Sequence, residues 1–373
     1  MSRQRIVVKI GSSSLINEKG GLSERKLKEH VNAIAQLKRL DYDVVLISSG
    51  AIAAGFKHIG YPSRPISIAG KQSAAAVGQS LLMKSYGEAF GRYRIVTAQM
   101  LLTRNNFNDK EQYRNIYQTL TELLRKGVVP IINENDSVAV DELTFGDNDM
   151  LSALVSGMIN ADLLIILTDR NGLYDKDPRI HPDAKKYHYL AEITDEIMAQ
   201  AQDSGSVFGT GGMRSKLEAA QTALSLGVNS YIGVGFGENK LIDVIEGKGD
   251  GTYIGSPTGA WTKNNKKWLA FHTQIAGEIV VDRGAEQAIV NNGKSLLPAG
   301  IIEVTGHFKV GEVVEIKNIH RKRIGRGQVN YTSDELQQVK GKPSLEARRF
   351  ANRKESEVIH RDNMIILIKE SIK

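Results

Sequence analysis

The feature that most constrains the fold is a regular alternation of short apolar runs with segments of helical periodicity, from the amino end to residue 246. The runs are rich in Val, Ile and Leu, as is typical of parallel strands buried on both faces. The segments between them repeat apolar residues every three to four positions. We therefore predict an α/β fold, with an open, mostly parallel sheet sandwiched by helices. Strands are predicted at residues 5–10, 42–47, 93–99, 128–132, 161–167 and 228–233, and helices at residues 22–40, 72–91, 111–126, 149–159, 217–227 and 239–246.

The character of the chain changes between residues 240 and 267, where Gly, Thr, Asn and Lys dominate. Residues 263–267 (KNNKK) are typical of a solvated linker, and residues 267–271 are predicted to form a bridging strand. Short strands separated by glycine turns then suggest a compact β-barrel. We predict a first domain at 1–258, a linker at 259–275, and a small β-barrel-like domain with its tail at 276–373. The strands predicted there are 278–281, 301–305, 312–317, 327–331 and 364–369, with helices at 284–292 and 344–352.

Composition excludes several classes of function. The chain has 373 residues, no cysteine, a formal charge of +7 and a pI near 9.2. Without cysteine there is no disulfide, thiolate nucleophile or cysteine-bound metal, while the positive charge suits anionic ligands such as phosphates and carboxylates. No apolar run approaches the roughly 20 residues of a membrane-spanning helix, and the amino end lacks the pattern of a signal peptide. We expect a cytoplasmic protein with no membrane partner.

The acidic stretch at residues 131–149, IINENDSVAVDELTFGDND, is the main candidate site. A buried strand ends in one cluster of Asn, Glu and Asp, and a second cluster, which contains Asp147, Asn148 and Asp149, opens a predicted helix. Open α/β sheets place their chemistry at the carboxyl ends of strands. Any one of these residues could instead cap a helix or lie in a solvated loop, but two clusters in one loop favour a site.

Two other strands end in small hydrogen-bond donors. Residues 5–10 lead into Gly11 and three serines, and residues 42–47 lead into Ser48, Ser49 and Gly50. Backbone N–H groups and hydroxyls in such turns can bind an anion. Lys9 stands inside the first of these strands, where it either extends to solvent from the strand end or binds a phosphate. The serines could equally cap the helices that follow.

A glycine-rich segment at residues 209–216, GTGGMRSK, precedes a predicted helix. Glycines allow backbone N–H groups to approach a phosphate, and the amino end of a helix adds partial positive charge. The segment does not match the Walker A pattern or GxGxxG. A hinge without a ligand is the alternative. Farther along, residues 320–323 (HRKR) form a basic tip that indicates either a solvated hairpin or a contact with RNA.

These motifs together resemble the amino acid kinase family. The resemblance rests on VVKIGSSSL, LISSGAIAAG, QMLLTR, PIINENDSV, FGDNDMLSA, LTDRNGLYDKDPR and GTGGMRSKLEAA. Downstream, AGEIVVDRGAEQAI, SLLPAGIIEVTGHFKVGEVVEI and EVIHRDNMIIL resemble a PUA module with its tail. The pairing of INEND with GDND and a PUA module is typical of the branch of the family that phosphorylates glutamate.

The resemblance implies transfer of a phosphoryl group from ATP with Mg²⁺ to the side-chain carboxylate of L-glutamate, as the first step of proline synthesis. It implies that Lys9 and Lys216 grip the transferring phosphate and that Asp149 organises both lysines. It further implies a homo-oligomer (dimer or tetramer), inhibition by proline, and a PUA module for which RNA is a possible partner. The implied glutamate ligands are Ser49, Asp136 and Asn148, with Asp147 as an unsettled fourth, and the implied nucleotide contacts are Lys9, Gly11, Thr168, Asp169, Thr210, Gly211, Gly212, Met213, Arg214, Ser215 and Lys216.

The acceptor in such a reaction needs no general base, because a carboxylate with a pKa near 4.3 is already ionised at neutral pH. The obstacle is electrostatic, since one anion must approach another, and positioned positive charge reduces it. We expect Mg²⁺ to be held mainly by ATP phosphates and water, with no metal site built from protein side chains. Two alternatives stay open: another kinase of this family, acting on aspartate, acetylglutamate, carbamate or a nucleotide, and an RNA-binding protein with a kinase fold.

Overall fold

The computed structural model describes residues 3–138, 147–176, 178–200, 212–235, 237–255, 275–351 and 356–366, and only the backbone of residues 110, 147, 200, 362 and 365. The chain divides into two units, Met1–Thr262 and Lys263–Lys373. The predicted linker at 259–275 and bridging strand at 267–271 lie outside the described residues, apart from residue 275, so the predicted domain boundaries stay predictions. No helix in the described ranges is long and apolar enough to cross a membrane.

The first unit is built on an eight-stranded sheet with the order β3-β4-β2-β1-β5-β9-β10-β8. From β3 to β9 every neighbouring pair is parallel. At the other end β10 is antiparallel to β9 and parallel to β8. The predicted open, mostly parallel sheet is confirmed. Its strands are β1 (Arg5–Ile10), β2 (Asp43–Ser48), β3 (Thr97–Leu102), β4 (Val129–Glu134), β5 (Leu163–Leu167), β8 (Tyr189–Leu190), β9 (Asn229–Gly233) and β10 (Gly251–Ile254), while β6 (Leu173–Tyr174) and β7 (Lys186–Tyr187) form a separate antiparallel pair.

Helices cover both faces of this sheet, and each face has its own hydrophobic cluster. One cluster includes Leu120 and Leu217, and the other includes Ile34 and Leu82. Burial on both faces explains why the central strands show continuous apolar runs. The helices are α1 (Glu24–Arg39), α2 (Ala51–Gly55), α3 (Ile68–Gly91), α4 (Lys110–Arg125), α5 (Asp147–Met158), α6 (Asp195–Gln200), α7 (Met213–Ser225) and α8 (Lys240–Ile245).

Glycines allow α2 and α3 to pack backbone against backbone. A Cβ atom at Gly55 would lie 2.0 Å from the carbonyl oxygen of Ala74, and one at Gly78 would lie 1.8 Å from the carbonyl oxygen of Ala51. No side chain fits at either position without moving the helices apart. The contact therefore fixes the part of α3 that lies beside the end of β2.

Several predicted bounds were wrong. The third strand was predicted at 93–99 but begins at Thr97, because the chain first turns through Arg94, which has a positive φ of 57°. The region 240–267 was predicted without a strand, yet Gly251–Ile254 forms β10 against β9. A four-residue strand next to glycine is too short to show periodicity in the sequence. It is recognised only from its pairing with β9 and β8. The two-residue strands β6, β7 and β8 were missed for the same reason.

The second unit contains a five-stranded mixed sheet with the order β12-β11-β13-β14-β15. One apolar cluster, which includes Ile279, Val314 and Tyr331, packs against it. The strand predicted at 327–331 instead lies at Arg323–Gln328, paired with β13 as a hairpin. The strands are β11 (Ile275–Val281), β12 (Ile301–Gly306), β13 (Val313–Lys317), β14 (Arg323–Gln328) and β15 (Met364–Ile366), and the helices are α9 (Arg283–Val290), α10 (Ser333–Val339) and α11 (Ser344–Phe350).

Candidate active site

Two buried lysines share one buried aspartate at the carboxyl edge of the large sheet. Lys9 Nζ lies 2.6 Å from Asp149 Oδ1, and Lys216 Nζ lies 3.2 Å from Asp149 Oδ2. The three residues are 5%, 7% and 1% exposed in the order Lys9, Lys216 and Asp149. They come from β1, α7 and α5, so the fold joins positions that are far apart in sequence. The structure thus places Asp149 between the two lysines.

The electrostatics of this cluster keep the Asp149 carboxylate charged. Burial by itself would raise the pKa of Asp149, but Lys9 and Lys216 outweigh it and hold that pKa at about 2. Burial lowers the pKa of the Lys9 ammonium; Asp149 opposes that shift and Lys216 adds to it. Two ammonium groups facing one carboxylate leave a formal excess of one positive charge. Such an excess, held away from water, attracts an anion strongly.

The amino end of α7 completes this cluster. Ser215 Oγ lies 2.8 Å from Asp149 Oδ2 and 2.9 Å from the carbonyl oxygen of Gly212, which is the residue before the helix. Met213 is buried, whereas Arg214 is exposed and pairs with Glu218 at 2.9 Å. The Arg214 side chain is therefore directed to the surface pair, so a nucleotide contact from this residue would have to come from its backbone. The remaining predicted nucleotide contacts in this loop, Thr210 and Gly211, lie outside the described residues.

The turn after β1 lies against Lys9. A Cβ atom at Gly11 would lie 3.3 Å from Lys9 Nζ, so glycine leaves the lysine head uncovered on that side. The turn continues as a short 3₁₀ helix, Ser12–Ser14. Two side chains of α1 contact its carbonyl groups. Lys26 Nζ lies 3.4 Å from the Ser13 carbonyl oxygen, and His30 Nε2 lies 3.2 Å from that of Ser14.

Asn148 and Ser49 form a second group with two residues that the sequence did not single out. Asn148 Nδ2 donates to Ser49 Oγ and to Asn133 Oδ1, both at 3.0 Å. The backbone N–H of Glu134 donates to Asn133 Oδ1 at 2.9 Å and lies 3.3 Å from Asn148 Oδ1. Asn133 Nδ2 then donates to Gln79 Oε1 at 2.8 Å. A network of amides therefore joins β4, α5, α3 and the end of β2.

A cavity of about 290 Å³ opens beside this network, and Gln79, Glu134 and Asp136 line it together with Ala51. Asp136 also interacts electrostatically with Arg64: burial lowers the pKa of that guanidinium, and Asp136 opposes the shift. The cavity therefore combines carboxylates with an amide. Among the described residues no group of three or more His, Asp or Glu side chains could hold a metal ion.

Thr168 and Asp169 follow β5, the strand next to β1. Thr168 is buried; its hydroxyl donates to Asp169 Oδ1 at 3.1 Å, and its backbone N–H donates to the carbonyl of Gly233 at 3.0 Å. Asp169 is exposed. Because β1 and β5 are parallel, their carboxyl ends open on the same edge of the sheet. The side chain of Asp147 is not among those that the structure describes.

Four residues in and around the site were not predicted from the sequence: Asn133, Gln79, Lys26 and His30. Asn133 lies in the INEND motif, which was predicted to be part of the site, but no role was assigned to this residue. Gln79, Lys26 and His30 are single polar residues on helices, and such residues are usually solvent-exposed. Ser48 has a structural role, because its hydroxyl lies 2.8 Å from the buried Tyr86 hydroxyl.

The basic tip of the second unit is a hairpin whose charges are partly paired. Arg321 Nη2 lies 2.7 Å from Glu303 Oε2, and Arg323 Nε lies 2.6 Å from Glu315 Oε1. Glu315 is only 5% exposed, so its charge is held close to the arginine. The tip joins β13 to β14 as a hairpin, one of the two alternatives that the sequence left open, and pairing with acids reduces its positive potential.

Comparisons with known proteins agree with this geometry. The model of the amino acid kinase family matches residues 4–233, and that of the PUA domain matches residues 277–351. A glutamate 5-kinase from Geobacillus kaustophilus is 58% identical and one from Geobacillus thermodenitrificans is 57% identical, each over the whole of both chains. A glutamate 5-kinase from Bacillus cereus is 57% identical over 98% of this chain and all of its own. The sheet with its buried lysine pair, the family match and these full-length relatives agree, and the chain therefore belongs to the amino acid kinase family and carries a PUA domain.

Proposed function

We propose that the protein transfers the γ-phosphoryl group of ATP to the side-chain carboxylate of L-glutamate, forming γ-glutamyl phosphate and ADP. One observation carries the proposal: Asp149 holds two buried lysines, Lys9 and Lys216, and the amide network that starts at the neighbouring Asn148 reaches a cavity lined by acids and an amide. The full-length relatives named glutamate 5-kinase supply the choice of acceptor.

The chemistry follows from charge. The acceptor carboxylate is already ionised, so the protein must lower the repulsion between it and the phosphate rather than remove a proton. Lys9 and Lys216 would supply positive charge where the transition state spreads negative charge over the phosphate oxygens. Asp149 keeps both lysines in place.

Magnesium would enter with the nucleotide. Mg²⁺ prefers oxygen ligands and keeps several waters, and it is often bound through substrate phosphates with one or two carboxylates. Both oxygens of Asp149 already face lysines, so this carboxylate does not fit the role of a magnesium ligand. We therefore propose that the ATP phosphates hold most of the coordination.

The acceptor site would be the cavity beside the amide network. Asp136 is suited to the α-amino group of glutamate, while Asn148, which precedes Asp149, connects Ser49 through Asn133 to Gln79 at the cavity. Asp136→Asn should then raise the KM for glutamate far more than the KM for ATP. Equal changes in both constants would contradict this placement.

The decisive assay is formation of an acyl phosphate. ADP release is measured with glutamate, aspartate, acetylglutamate, carbamate and UMP as acceptors, and the product is trapped with hydroxylamine as a hydroxamate. We expect turnover with glutamate alone. Turnover only with another acceptor would assign the protein to a different branch of the family.

The lysine pair can be tested directly. Lys216→Ala should lower kcat by roughly 100-fold or more, the scale of losing one preorganised electrostatic contact. Lys248→Ala serves as the control, because Lys248 is an exposed lysine paired with Glu246 at 2.7 Å. A folded Lys216→Ala protein with near-normal kcat would remove this lysine from the mechanism.

We further propose, from the resemblance, that the product enters proline synthesis, that proline inhibits the enzyme in competition with glutamate, and that the protein is a homo-oligomer. The hydroxamate assay with and without proline tests inhibition, and sedimentation tests assembly. For the PUA domain, salt-dependent RNA binding in a gel shift would support an added RNA role. Absence of binding at low salt would leave the domain structural or regulatory.

A further inference from the structure

We propose that Gln79 is a specificity-determining residue of the acceptor site, which donates its side-chain amide N–H to the α-carboxylate of the amino acid. The inference rests on the proposed function and assigns one further contact within it. It follows from the orientation of the side-chain amides of Asn148, Asn133 and Gln79, and from the cavity that Gln79 lines.

The orientation of the amides is set by a backbone donor. The N–H of Glu134 can only donate, and it lies 2.9 Å from Asn133 Oδ1 and 3.3 Å from Asn148 Oδ1. Turning the Asn133 amide around would place its NH₂ group against this N–H, so Oδ1 must face it. Nδ2 of Asn133 therefore faces Gln79, which lies 2.8 Å away.

This fixes the direction of the Gln79 amide as well. Its Oε1 must accept from Asn133 Nδ2, which leaves Nε2 with two donor hydrogens on the other side of the amide. Within the described ranges Nε2 has no acceptor, although Gln79 is 8% exposed. The Gln79 side chain lines the cavity, so its Nε2 donor is available there to an acceptor on a ligand. Its match is a carboxylate or carbonyl oxygen of the ligand.

The α-carboxylate is the group that reaches this donor. Asp136 lines the same cavity and suits an α-amino group. The α-amino and α-carboxyl groups share one carbon atom, so a donor for the carboxylate is needed within the same cavity. The γ-carboxylate must instead approach Lys9 and Lys216, and Ser49 stands on that side through its bond with Asn148.

The backbone holds Gln79 rigidly in this position. The preceding residue, Gly78, lies in the closest contact between α2 and α3, where a Cβ would come within 1.8 Å of the Ala51 carbonyl oxygen. A donor that is fixed before the substrate arrives loses little entropy on binding. The helix contact thus explains how one glutamine can discriminate among acceptors.

The test compares two substitutions. Gln79→Glu keeps an oxygen that accepts from Asn133 but replaces the donor with a negative charge, whereas Gln79→Ala removes both functions. We expect kcat/KM for glutamate to fall about 10- to 100-fold in Gln79→Ala, the range for a hydrogen bond to a charged group, and to fall further in Gln79→Glu. The KM for ATP should change less than threefold. Gln72→Glu, the same change two turns earlier on α3, is the control for added charge.

A purely structural role predicts the opposite order. If Gln79 served only to hold Asn133, Gln79→Glu would be the milder variant, and that result would overturn the inference. Thermal unfolding of each variant is measured alongside, so that loss of the fold is separated from loss of recognition.

A change of substrate gives a second, independent readout. L-isoglutamine carries a neutral carboxamide in place of the α-carboxylate, and that group can donate to the carboxylate introduced by Gln79→Glu. The ratio of kcat/KM for glutamate to that for isoglutamine should therefore fall at least 10-fold in Gln79→Glu relative to wild type. An unchanged ratio would contradict the contact. If the wild-type protein does not phosphorylate glutamate, the proposed function fails; if it does and Gln79→Glu behaves like wild type, only this inference fails.

Discussion

At the scale of single residues, Asp149 is the point on which the site depends. Its two oxygens meet Lys9 and Lys216 at 2.6 and 3.2 Å, and its pKa is held at about 2. Burial lowers the pKa of the Lys9 ammonium, and the charge of Lys216 adds to that shift. The carboxylate opposes both effects, so we expect the charge of Lys9 to depend on it.

Asp149→Asn should therefore change the pH dependence of activity as well as its size. Burial already lowers the pKa of Lys9, and without the carboxylate that pKa falls further. In the proposed mechanism activity requires the charged lysine, so the basic limb of the plot of kcat against pH should move to lower pH. The control is Asp183→Asn, because Asp183 is an exposed aspartate that pairs with Lys176. A basic limb that stays in place would show that Lys9 does not need Asp149 to remain charged.

At the scale of secondary-structure elements, the contact between α2 and α3 positions the acceptor cavity. Gly78→Ala would place a methyl group 1.8 Å from the carbonyl oxygen of Ala51, so the helices must separate. We expect a loss of roughly 1–3 kcal/mol in the free energy of unfolding, or more, as in other overpacked cores. Glutamate KM should rise too, because Gln79 moves with the helix.

The control for this change lies in the same helix. Gly87 has no heavy atom within 4 Å of its ideal Cβ position. Gly87→Ala should therefore stabilise the protein by about 0.4–1 kcal/mol, because alanine restricts the unfolded chain and favours helix. Chemical denaturation of both variants measures the difference. Equal destabilisation by the two changes would mean that the α2–α3 contact is not the cause.

The α1–α8 pair adds a pH-dependent contribution to stability. His30 on α1 lies 3.0 Å from Lys240 Nζ on α8; burial and then the Lys240 charge lower its pKa from 6.5 to about 3. Between those values the unfolded chain binds a proton that the folded chain does not. The free energy of unfolding therefore falls as pH drops through this window, by at most about 1.4 kcal/mol per pH unit from this group.

His30→Gln removes that contribution. The variant should be less stable at pH 7, and its difference from wild type should shrink as the pH falls from 6.5 toward 4. Urea unfolding at several pH values measures this difference. A constant difference across the range would show that His30 titrates alike in the folded and unfolded states.

At the scale of the whole molecule, the two units have separate hydrophobic clusters, and every predicted site residue lies between positions 9 and 216. A chain ending at residue 262 should then fold cooperatively and retain glutamate-dependent ADP formation. Calorimetry and the hydroxamate assay test this. An aggregated product, or a folded one without activity, would show that the first unit depends on the second.

The local elements and much of the site could be predicted from the amino-acid sequence alone. The alternation of apolar runs and amphipathic helices follows from backbone geometry, and it was enough to predict a parallel sheet with Lys9 and the acidic stretch at its carboxyl edge. Ser23 caps α1 and its side chain accepts from the Lys26 backbone N–H, as is typical of a serine just before a helical pattern. Such features arise from neighbours in the chain, so they leave a readable pattern.

Which distant residues meet depends on the packing of the folded chain. Gln79 lies 54 positions from Asn133 and Lys216 lies 67 from Asp149, and nothing local marks either pair. The strand Gly251–Ile254 likewise exists because β9 and β8 offer backbone groups for pairing on either side of it. Buried hydrogen-bonding groups and charges pair with the residues that the packed helices and strands bring close to them. The amide network and the paired lysines are consequences of packing, whereas the strands and helices that carry them are consequences of sequence.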